Sequence, residues 1–243
     1  MKKEEKIKEL KNKEKSVFYI VGTPIGNLED MSFRAVRILK EVDLILCEDV
    51  SNAQKILKHF EIETKCTNYF ANSKITKIDK IVSELVEGKN LALISDAGMP
   101  TISDPGSLLI KRLYEAKKEN DFIEIKVIPG STAITSSFAL SGLTGNEFTF
   151  FGFLPHKKGR ETIFKEIENN KRISVFYESV HRFQKAIASL EKLLDEKREI
   201  VVCKEITKLH EEVIKGNTKE VKEYFEINKD KIRGEFVILI DGK

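Results

Sequence analysis

Three short segments rich in glycine and proline are the part of this sequence best suited to bind a ligand. They comprise residues 22–27 (GTPIGN), 95–106 (SDAGMPTISDPG) and 129–133 (PGSTA), and each follows a short apolar run. Glycine lets another molecule approach the backbone closely and leaves peptide N–H and C=O groups exposed. Such groups recognise a ligand by shape and hydrogen bonds, as a nucleoside requires. One such turn is ordinary in an α/β protein, but three predict a shared site.

The spacing of these glycines excludes two common phosphate-binding motifs. No Gly-Lys-Ser/Thr follows any of the turns, so they do not form a Walker A loop. Gly22 and Gly26 are four residues apart and a third glycine is missing, so the dinucleotide fingerprint is incomplete. The sequence therefore disfavours a nucleoside triphosphate or NAD as the ligand.

The apolar runs predict the elements that must position these turns. Strands are indicated at 17–21, 43–47, 91–95, 123–128, 147–152, 173–177, 199–204 and 235–240. Helical patterns lie near 30–41, 51–59, 74–87, 105–118, 131–141, 160–170, 179–195 and 217–226. Asp104 followed by Pro105 is typical of a helix start. Repeated strand–turn–helix units predict a parallel sheet that binds its ligand at the carboxyl ends of the strands.

Composition limits the class of protein. The 243 residues, 41% of them hydrophobic, are enough for one large or two modest domains. Cys47, Cys66 and Cys203 are widely spaced, which argues against a disulfide framework or a zinc site and predicts a cytoplasmic protein. No apolar stretch approaches the roughly 18 residues of a membrane span. A formal charge of +3 leaves a nucleic-acid partner open, because a local basic patch matters more than the sum.

The glycines at 142–145 and the loop at 152–159 indicate a domain boundary. We therefore expect a charged extension over residues 1–15, an N-terminal α/β domain over 16–150 and a C-terminal α/β domain over 151–243. The extension mixes lysine with glutamate, which favours a solvated segment over a basic nucleic-acid arm.

The three turns, in this order, resemble the tetrapyrrole methylase superfamily, and within it the branch that methylates small-subunit ribosomal RNA. The resemblance continues through 152–155 (GFLP), 176–182 (FYESVHR), 205–211 (EITKLHE) and 233–236 (RGEF). It implies a mainly parallel N-terminal sheet, a mixed C-terminal sheet and an S-adenosylmethionine (AdoMet) pocket in the cleft between the domains. It also implies a homodimer that methylates the ribose 2′-hydroxyl of a cytidine in the decoding region of 16S ribosomal RNA.

Position by position, the resemblance assigns cofactor contacts to ten residues. They are Pro24 in the first turn, Ser95, Asp96, Ala97, Gly98 and Met99 in the second, Thr132 and Ala133 in the third, and Tyr177 and Gly216 in the C-terminal domain. The chemistry is reasonable, because an adenosyl group needs apolar walls and backbone hydrogen bonds. Asp96 could accept a hydrogen bond from a cofactor hydroxyl or ammonium, or it could cap a turn or helix.

A ribose hydroxyl is a weak acid, so the implied reaction is helped by a general base. The candidates are Asp49, Glu178, His181, Glu205 and Lys208. Glu205 and Lys208 could equally form a structural ion pair. Lys208 would need a lowered pKa to act as a base, which burial could supply.

Basic side chains after the expected domain boundary are candidate RNA phosphate contacts. They are Lys157, Lys158, Arg160 and Arg182. For the two loop lysines, an ordinary solvated loop is the competing interpretation.

Two segments depart from the family pattern. The family usually has Glu-Asp-Thr-Arg-His where this chain has residues 48–52 (EDVSN), and two histidines where it has residues 69–73 (YFANS). Both segments follow strands of the first domain, on the expected substrate side. Two alternatives to RNA methylation therefore stay open: a small tetrapyrrole-like acceptor, and a non-catalytic protein that binds AdoMet and RNA.

Overall fold

The computed structural model describes residues 15–243, which form two compact units, the first ending at Thr132 and the second starting at Ala133. Residues 1–14 of the expected charged extension lie outside the described residues. The domain boundary expected after residue 150 falls inside a strand of the second unit. The division comes earlier because the helix at Ala133–Ser141 packs on the sheet of the second unit.

The first unit is a five-stranded parallel sheet with helical connections. Its strands are β1 (Ser16–Val21), β2 (Leu44–Cys47), β3 (Cys66–Asn68), β4 (Leu91–Leu93) and β5 (Ile123–Ile128), and its α-helices are α1 (Phe33–Glu41), α2 (Val50–His59), α3 (Ile75–Val86) and α4 (Ser107–Glu119). The strand order is β3-β2-β4-β1-β5, and every neighbouring pair is parallel. Parallel neighbours need crossover connections, which the helices supply. The predicted parallel sheet is confirmed.

The second unit is built on a mixed sheet. Its strands are β6 (Phe148–Phe153), β7 (Ile173–Ser179), β8 (Ile200–Lys204), β9 (Glu212–Gly216) and β10 (Glu235–Ile240), and its α-helices are α5 (Ala133–Ser141), α6 (Arg160–Asn169), α7 (Val180–Leu193) and α8 (Thr218–Ile227). The order is β6-β7-β10-β8-β9, with β6 and β7 parallel and the other neighbouring pairs antiparallel. The predicted mixed sheet is therefore also confirmed.

Each unit buries its own apolar core. In the first unit, α1 and α2 pack on one face of the sheet and α3 and α4 on the other. Successive strand residues alternate between these faces, so Ile45 joins one core cluster and Leu46 the other. In the second unit, Phe183 stacks on Phe236 with ring centroids 4.2 Å apart and meets Phe225 edge-on.

The strand β5 lies at one edge of the first sheet and carries paired charges. Glu124 forms ion pairs with Lys15 Nζ at 2.6 Å and with Lys126 Nζ at 2.7 Å. These side-chain contacts hold the pKa of the Glu124 carboxyl at about 2.

Within residues 15–243, no helix combines the length and apolarity required to cross a membrane.

Candidate functional site

The first and third glycine turns lie against each other at the carboxyl edge of the parallel sheet. They follow β1 and β5, which are neighbours, and Gly22 N donates to Ile128 O at 3.0 Å. A Cβ atom added to Gly22 would lie 2.7 Å from Gly130 Cα, and one added to Gly130 would lie 2.8 Å from the Gly22 carbonyl carbon. The two backbones can approach this closely only because both residues are glycine.

The second turn is hydrogen-bonded to the first. Thr23 N donates to Gly98 O at 2.9 Å, and Gly98 N donates back to Thr23 O at 3.2 Å. The Thr23 hydroxyl also donates to Ser95 O at 3.2 Å, while the Ser95 hydroxyl donates to Gly98 O at 3.1 Å. All three turns therefore come together at one edge of the first unit.

The second turn continues into a strained segment before α4. Gly98 and Gly106 have φ of 83° and 137°, and two non-glycine residues, Thr101 and Ser103, have φ of 75° and 65°. Left-handed non-glycine residues cost on the order of 1–3 kcal/mol each and persist only where surrounding contacts hold them. Such strain is typical of ligand-binding segments. The sequence predicted a helix start at Asp104 and Pro105. In the structure the helix begins two residues later, at Ser107, after Gly106.

The candidate base Asp49 and the candidate cofactor residue Asp96 belong to one hydrogen-bonded group. Asp49 caps α2, because its carboxylate accepts from Ser51 N at 2.7 Å and Asn52 N at 3.3 Å. Asp96 accepts from Asp49 N at 3.3 Å and from Asn52 Nδ2 at 2.9 Å. The segment that departs from the family pattern thus supplies Asn52, which anchors the second turn to α2.

Two further carboxyls give this edge an excess of negative charge. Burial, followed by the nearby charge of Glu48, raises the pKa of Asp104 to about 6, although a hydrogen bond from Ser95 opposes the shift. Burial, together with the charges of Asp96 and Asp49, also raises the pKa of Glu48. In the part of the chain that the structure describes, no group of three or more His, Cys, Asp or Glu side chains is arranged to hold a metal ion.

In the second unit, the candidate base Glu178 lies in a buried ion cluster with two candidate RNA contacts. Its side chain is 0% exposed, and its carboxylate lies 2.6 Å from Arg160 Nη2 and 2.9 Å from Arg182 Nε. Ser179 N also donates to Glu178 at 2.9 Å. The carboxylate and the two guanidinium groups are thus committed to one another.

The same two arginines hold the backbone of the loop between β6 and α6. Arg160 Nη1 donates to Pro155 O at 3.3 Å, and Arg182 Nη1 donates to Leu154 O. The side chains of Lys157 and Lys158, in this loop, are exposed. His181, another candidate base, is exposed near the start of α7.

The pair Glu205 and Lys208 forms an ion pair that includes a second carboxylate. Lys208 Nζ lies 3.0 Å from Glu205 Oε1 and 2.8 Å from Glu235 Oε2, and Glu235 N donates to Glu205 Oε1 at 3.1 Å. Burial lowers the pKa of Lys208, but its hydrogen bonds to the two carboxylates outweigh burial, so the net pKa is raised. Burial raises the pKa of Glu205, but the hydrogen bonds from Lys208 and the Glu235 backbone outweigh it. Lys208 is therefore an ammonium at neutral pH, contrary to the lowered pKa that a lysine base requires.

The remaining candidate cofactor contacts belong to both units. Pro24, Ala97, Met99 and Thr132 are in the first unit, and Ala133, Tyr177 and Gly216 are in the second. Met99 Sδ lies where it would meet a Cβ on Gly22, so this side chain contacts the first turn. The Tyr177 ring packs against Phe150 and Phe153 at centroid distances of 5.0 Å and 5.2 Å. Their role as cofactor contacts stays a prediction.

Three residues of interest were missed by the sequence analysis: Asn52, Asp104 and Phe153. Asn52 and Asp104 lie within segments that the sequence analysis singled out. Neither spacing nor residue type revealed that Asn52 bonds to Asp96 or that the Asp104 carboxyl is partly buried. Phe153 had a usable signal, since an aromatic residue precedes a basic loop.

The chain is similar to known proteins in sequence and in fold. The sequence model of the family described as Tetrapyrrole (Corrin/Porphyrin) Methylases matches residues 17–222. The chain is 40% identical over 230 residues to "Ribosomal RNA small subunit methyltransferase I" of Halalkalibacterium halodurans, covering 94% of this chain and 77% of the relative. It is 39% identical over 224 residues to the protein of the same name from Thermotoga maritima, covering 92% and 97%.

A solved structure shows the same fold at low sequence identity. The crystal structure of uroporphyrin-III-C-methyltransferase from Thermus thermophilus matches with a TM-score of 0.60 and 14% identity, over 93% of this chain and 94% of that one. The resemblance predicted from the motifs is confirmed by the family match.

Proposed function

The chain belongs to the tetrapyrrole methylase family, and from this premise we propose that it transfers a methyl group from AdoMet to small-subunit ribosomal RNA. The observation that carries the proposal is the similarity, over nearly the whole chain, to relatives named ribosomal RNA small subunit methyltransferase I. At the finer level, we propose the ribose 2′-hydroxyl of a cytidine in the decoding region of 16S RNA as acceptor. We further propose that the chain works as a homodimer in the cytoplasm.

The joined turns of the first unit fit AdoMet as the methyl donor. AdoMet, when bound, supplies a methyl group activated on a positively charged sulfonium. Peptide groups of the joined turns can hydrogen-bond an adenosyl group, and Met99, half-buried beside Gly22, offers apolar surface. The excess of carboxylates, among them Asp96, suits a ligand with a sulfonium and an ammonium.

The candidate bases take different parts in the proposed reaction. Asp49 is a helix cap, and Glu178 is neutralised by two arginines. The raised pKa of Lys208 suits an ammonium that stabilises negative charge on the acceptor rather than a group that takes up its proton. His181 and Glu205 stay as the candidate bases, and of the two only Glu205 forms an ion pair with Lys208.

The first experiment measures transfer of labelled methyl from AdoMet to small ribosomal subunits that lack this modification, with nuclease mapping of the product. We expect the label on a cytidine ribose in the decoding region. Absence of label on RNA, with AdoMet binding intact by calorimetry, would contradict the proposal and direct the search to a small acceptor or a non-catalytic role.

Replacement of Lys208 tests whether the protein is an enzyme rather than a binding protein. We expect Lys208→Met to lower kcat at least about tenfold while leaving the Kd for AdoMet within about twofold, because the ammonium acts on the developing charge. Lys219→Met, an exposed lysine on α8, is the matched control and should behave like the wild type. Equal kcat in the two variants would exclude Lys208 from the reaction.

A further inference from the structure

We propose that Phe153 and the basic loop, residues 154–159, form a surface that binds a single-stranded segment of the RNA substrate. Phe153 stacks on an unpaired base, and Lys157 and Lys158 contact the flanking phosphates. The inference rests on the proposed function and deepens it, because it assigns a place and a chemistry to RNA recognition.

Phe153 has the position of a stacking platform. It is the last residue of β6, and 55% of its surface is exposed. Its ring is supported from within the unit by Tyr177, with centroids 5.2 Å apart, and Tyr177 is supported in turn by Phe150 at 5.0 Å. An exposed aromatic ring that is held in place by other aromatic rings can stack on an unpaired base, since every base has a π-face.

The basic loop follows Phe153 directly and carries charge of one sign. Its charged residues are Lys157 and Lys158, both exposed, and it contains no acidic residue. Positive charge beside an aromatic platform complements a single strand, whose phosphates flank each base. The charge of the loop therefore argues for RNA rather than for a protein surface.

The buried ion cluster under the loop fixes its backbone. Arg160 and Arg182 have side chains only 12% and 16% exposed, and both pair with the buried Glu178. They also donate to the backbone oxygens of Pro155 and Leu154, at the start of the loop. Their role is therefore to position the loop rather than to contact phosphate, which revises the assignment made from the sequence. A loop held in this way loses less conformational entropy when RNA binds.

The test measures binding of a fluorescein-labelled single-stranded RNA of roughly 12 nucleotides by anisotropy over a range of KCl concentrations. Phe153→Leu should weaken binding about tenfold without changing the salt dependence, because stacking is not electrostatic. Phe148→Leu, an exposed phenylalanine at the other end of β6, is the matched control.

The lysines should show the opposite signature. The double variant Lys157→Gln/Lys158→Gln should reduce the slope of log K against log[salt] by about 1.4, from about 0.7 for each phosphate contact on a single strand. Lys219→Gln/Lys229→Gln, which removes two exposed lysines elsewhere in the second unit, should leave the slope unchanged.

The positioning role is tested by variants for which net charge and loop positioning predict opposite results. Glu178→Gln adds net positive charge, so charge alone predicts tighter RNA binding. Loss of the ion pairs that hold Arg160 and Arg182 against the loop predicts weaker binding. Arg160→Lys keeps the charge and the carboxylate, and it should also weaken binding without changing the salt slope. Circular dichroism verifies that each variant is folded, and tighter binding by Glu178→Gln would overturn the positioning role.

Two results would overturn the RNA surface itself: equal effects of Phe153→Leu and Phe148→Leu, or a change in oligomeric state by sedimentation in place of a change in RNA affinity. Methyl transfer to small subunits separates this inference from the proposed function. Transfer by the wild type with unaltered RNA binding by the variants would refute the surface alone. Salt-dependent RNA binding with the expected variant effects, but without transfer, would refute the proposed function alone.

Discussion

Asp104 shows how a single residue can couple the candidate site to pH. Its pKa of about 6 is above that of an aspartate in an unfolded chain, so the folded chain binds a proton between these two values that the unfolded chain does not. Stability therefore falls as pH rises through this interval. The destabilisation of the folded state by the ionised carboxylate is fully present above about pH 6. It is absent below the pKa of the aspartate in the unfolded chain.

Asp104→Asn removes this titration and keeps a side chain that can bond to Ser95. We expect Asp104→Asn to have a higher free energy of unfolding than the wild type, and this advantage to be about 1 kcal/mol larger at about pH 8 than at about pH 5. The value is reduced because the carboxyl is partly exposed to solvent. Urea unfolding at the two pH values measures the difference. A difference that does not change with pH would place the pKa of Asp104 in the ordinary range.

The sequence shows which residues are polar and where they lie in a motif, but it does not predict which groups their side chains contact. Glu178 and Arg160 are far apart in sequence, and their contact depends on how α6 packs beside β7. The pKa of Lys208, in the loop between β8 and β9, depends on Glu235, which contacts it from the start of β10. Residue identity gave the candidates, and tertiary contacts decide whether each carboxylate or amine is free to react.

Gly234 constrains the start of β10, because it directly precedes this strand and lies against Glu205 in the loop after β8. It has φ of 81°, and a Cβ there would clash with Glu205 Oε1. A side chain at this position would therefore displace Glu205 from Lys208 and from the backbone of Glu235.

Gly234→Ala can be compared with Gly88→Ala, since Gly88 has φ of 98° and no atom within 4 Å of an added Cβ. Gly88→Ala carries only the cost of the left-handed backbone, on the order of 1 kcal/mol. We expect Gly234→Ala to cost about 1–2 kcal/mol more, because it displaces the partly buried contacts of Glu205. Chemical denaturation of both variants measures this, and equal losses of stability would show that Glu205 moves without penalty.

The long, strongly patterned elements were predicted from the sequence within a few residues, but β3 and β9 were not. β3 has only three residues, all partly exposed, so it has no hydrophobic pattern to detect. β9 lies at the edge of the second sheet with one buried residue, Ile214. Both are strands by virtue of their neighbours, and local sequence carries little information about pairing of this kind.

The whole molecule contains a buried thiol in each unit, which gives a simple test of its packing. Burial, followed by the neighbouring Cys66, raises the pKa of Cys47 to about 12, and burial raises the pKa of Cys203 to about 11. Because the thiolate is the reactive form, both should be inert in the folded protein. Cys66 is only partly buried.

We expect an aromatic disulfide reagent at neutral pH to modify Cys66 in the folded protein, and Cys47 and Cys203 only after unfolding in guanidinium. Cys66→Ser is the control and should remove the fast reaction. Prompt labelling of Cys47 or Cys203 under native conditions, identified by peptide mapping, would show that its unit opens readily.

The charged edge at β5 also bears on how the protein behaves in concentrated solution. An edge strand can recruit strands from other molecules, and interleaved charges are a means of preventing this. Another chain that added to β5 would bring a strand against Glu124, Lys126 and Lys15 and desolvate them. Because Glu124 stays ionised down to a pH of about 2, this protection against fibril-like stacking should persist in acidic buffers where other carboxylates have lost their charge.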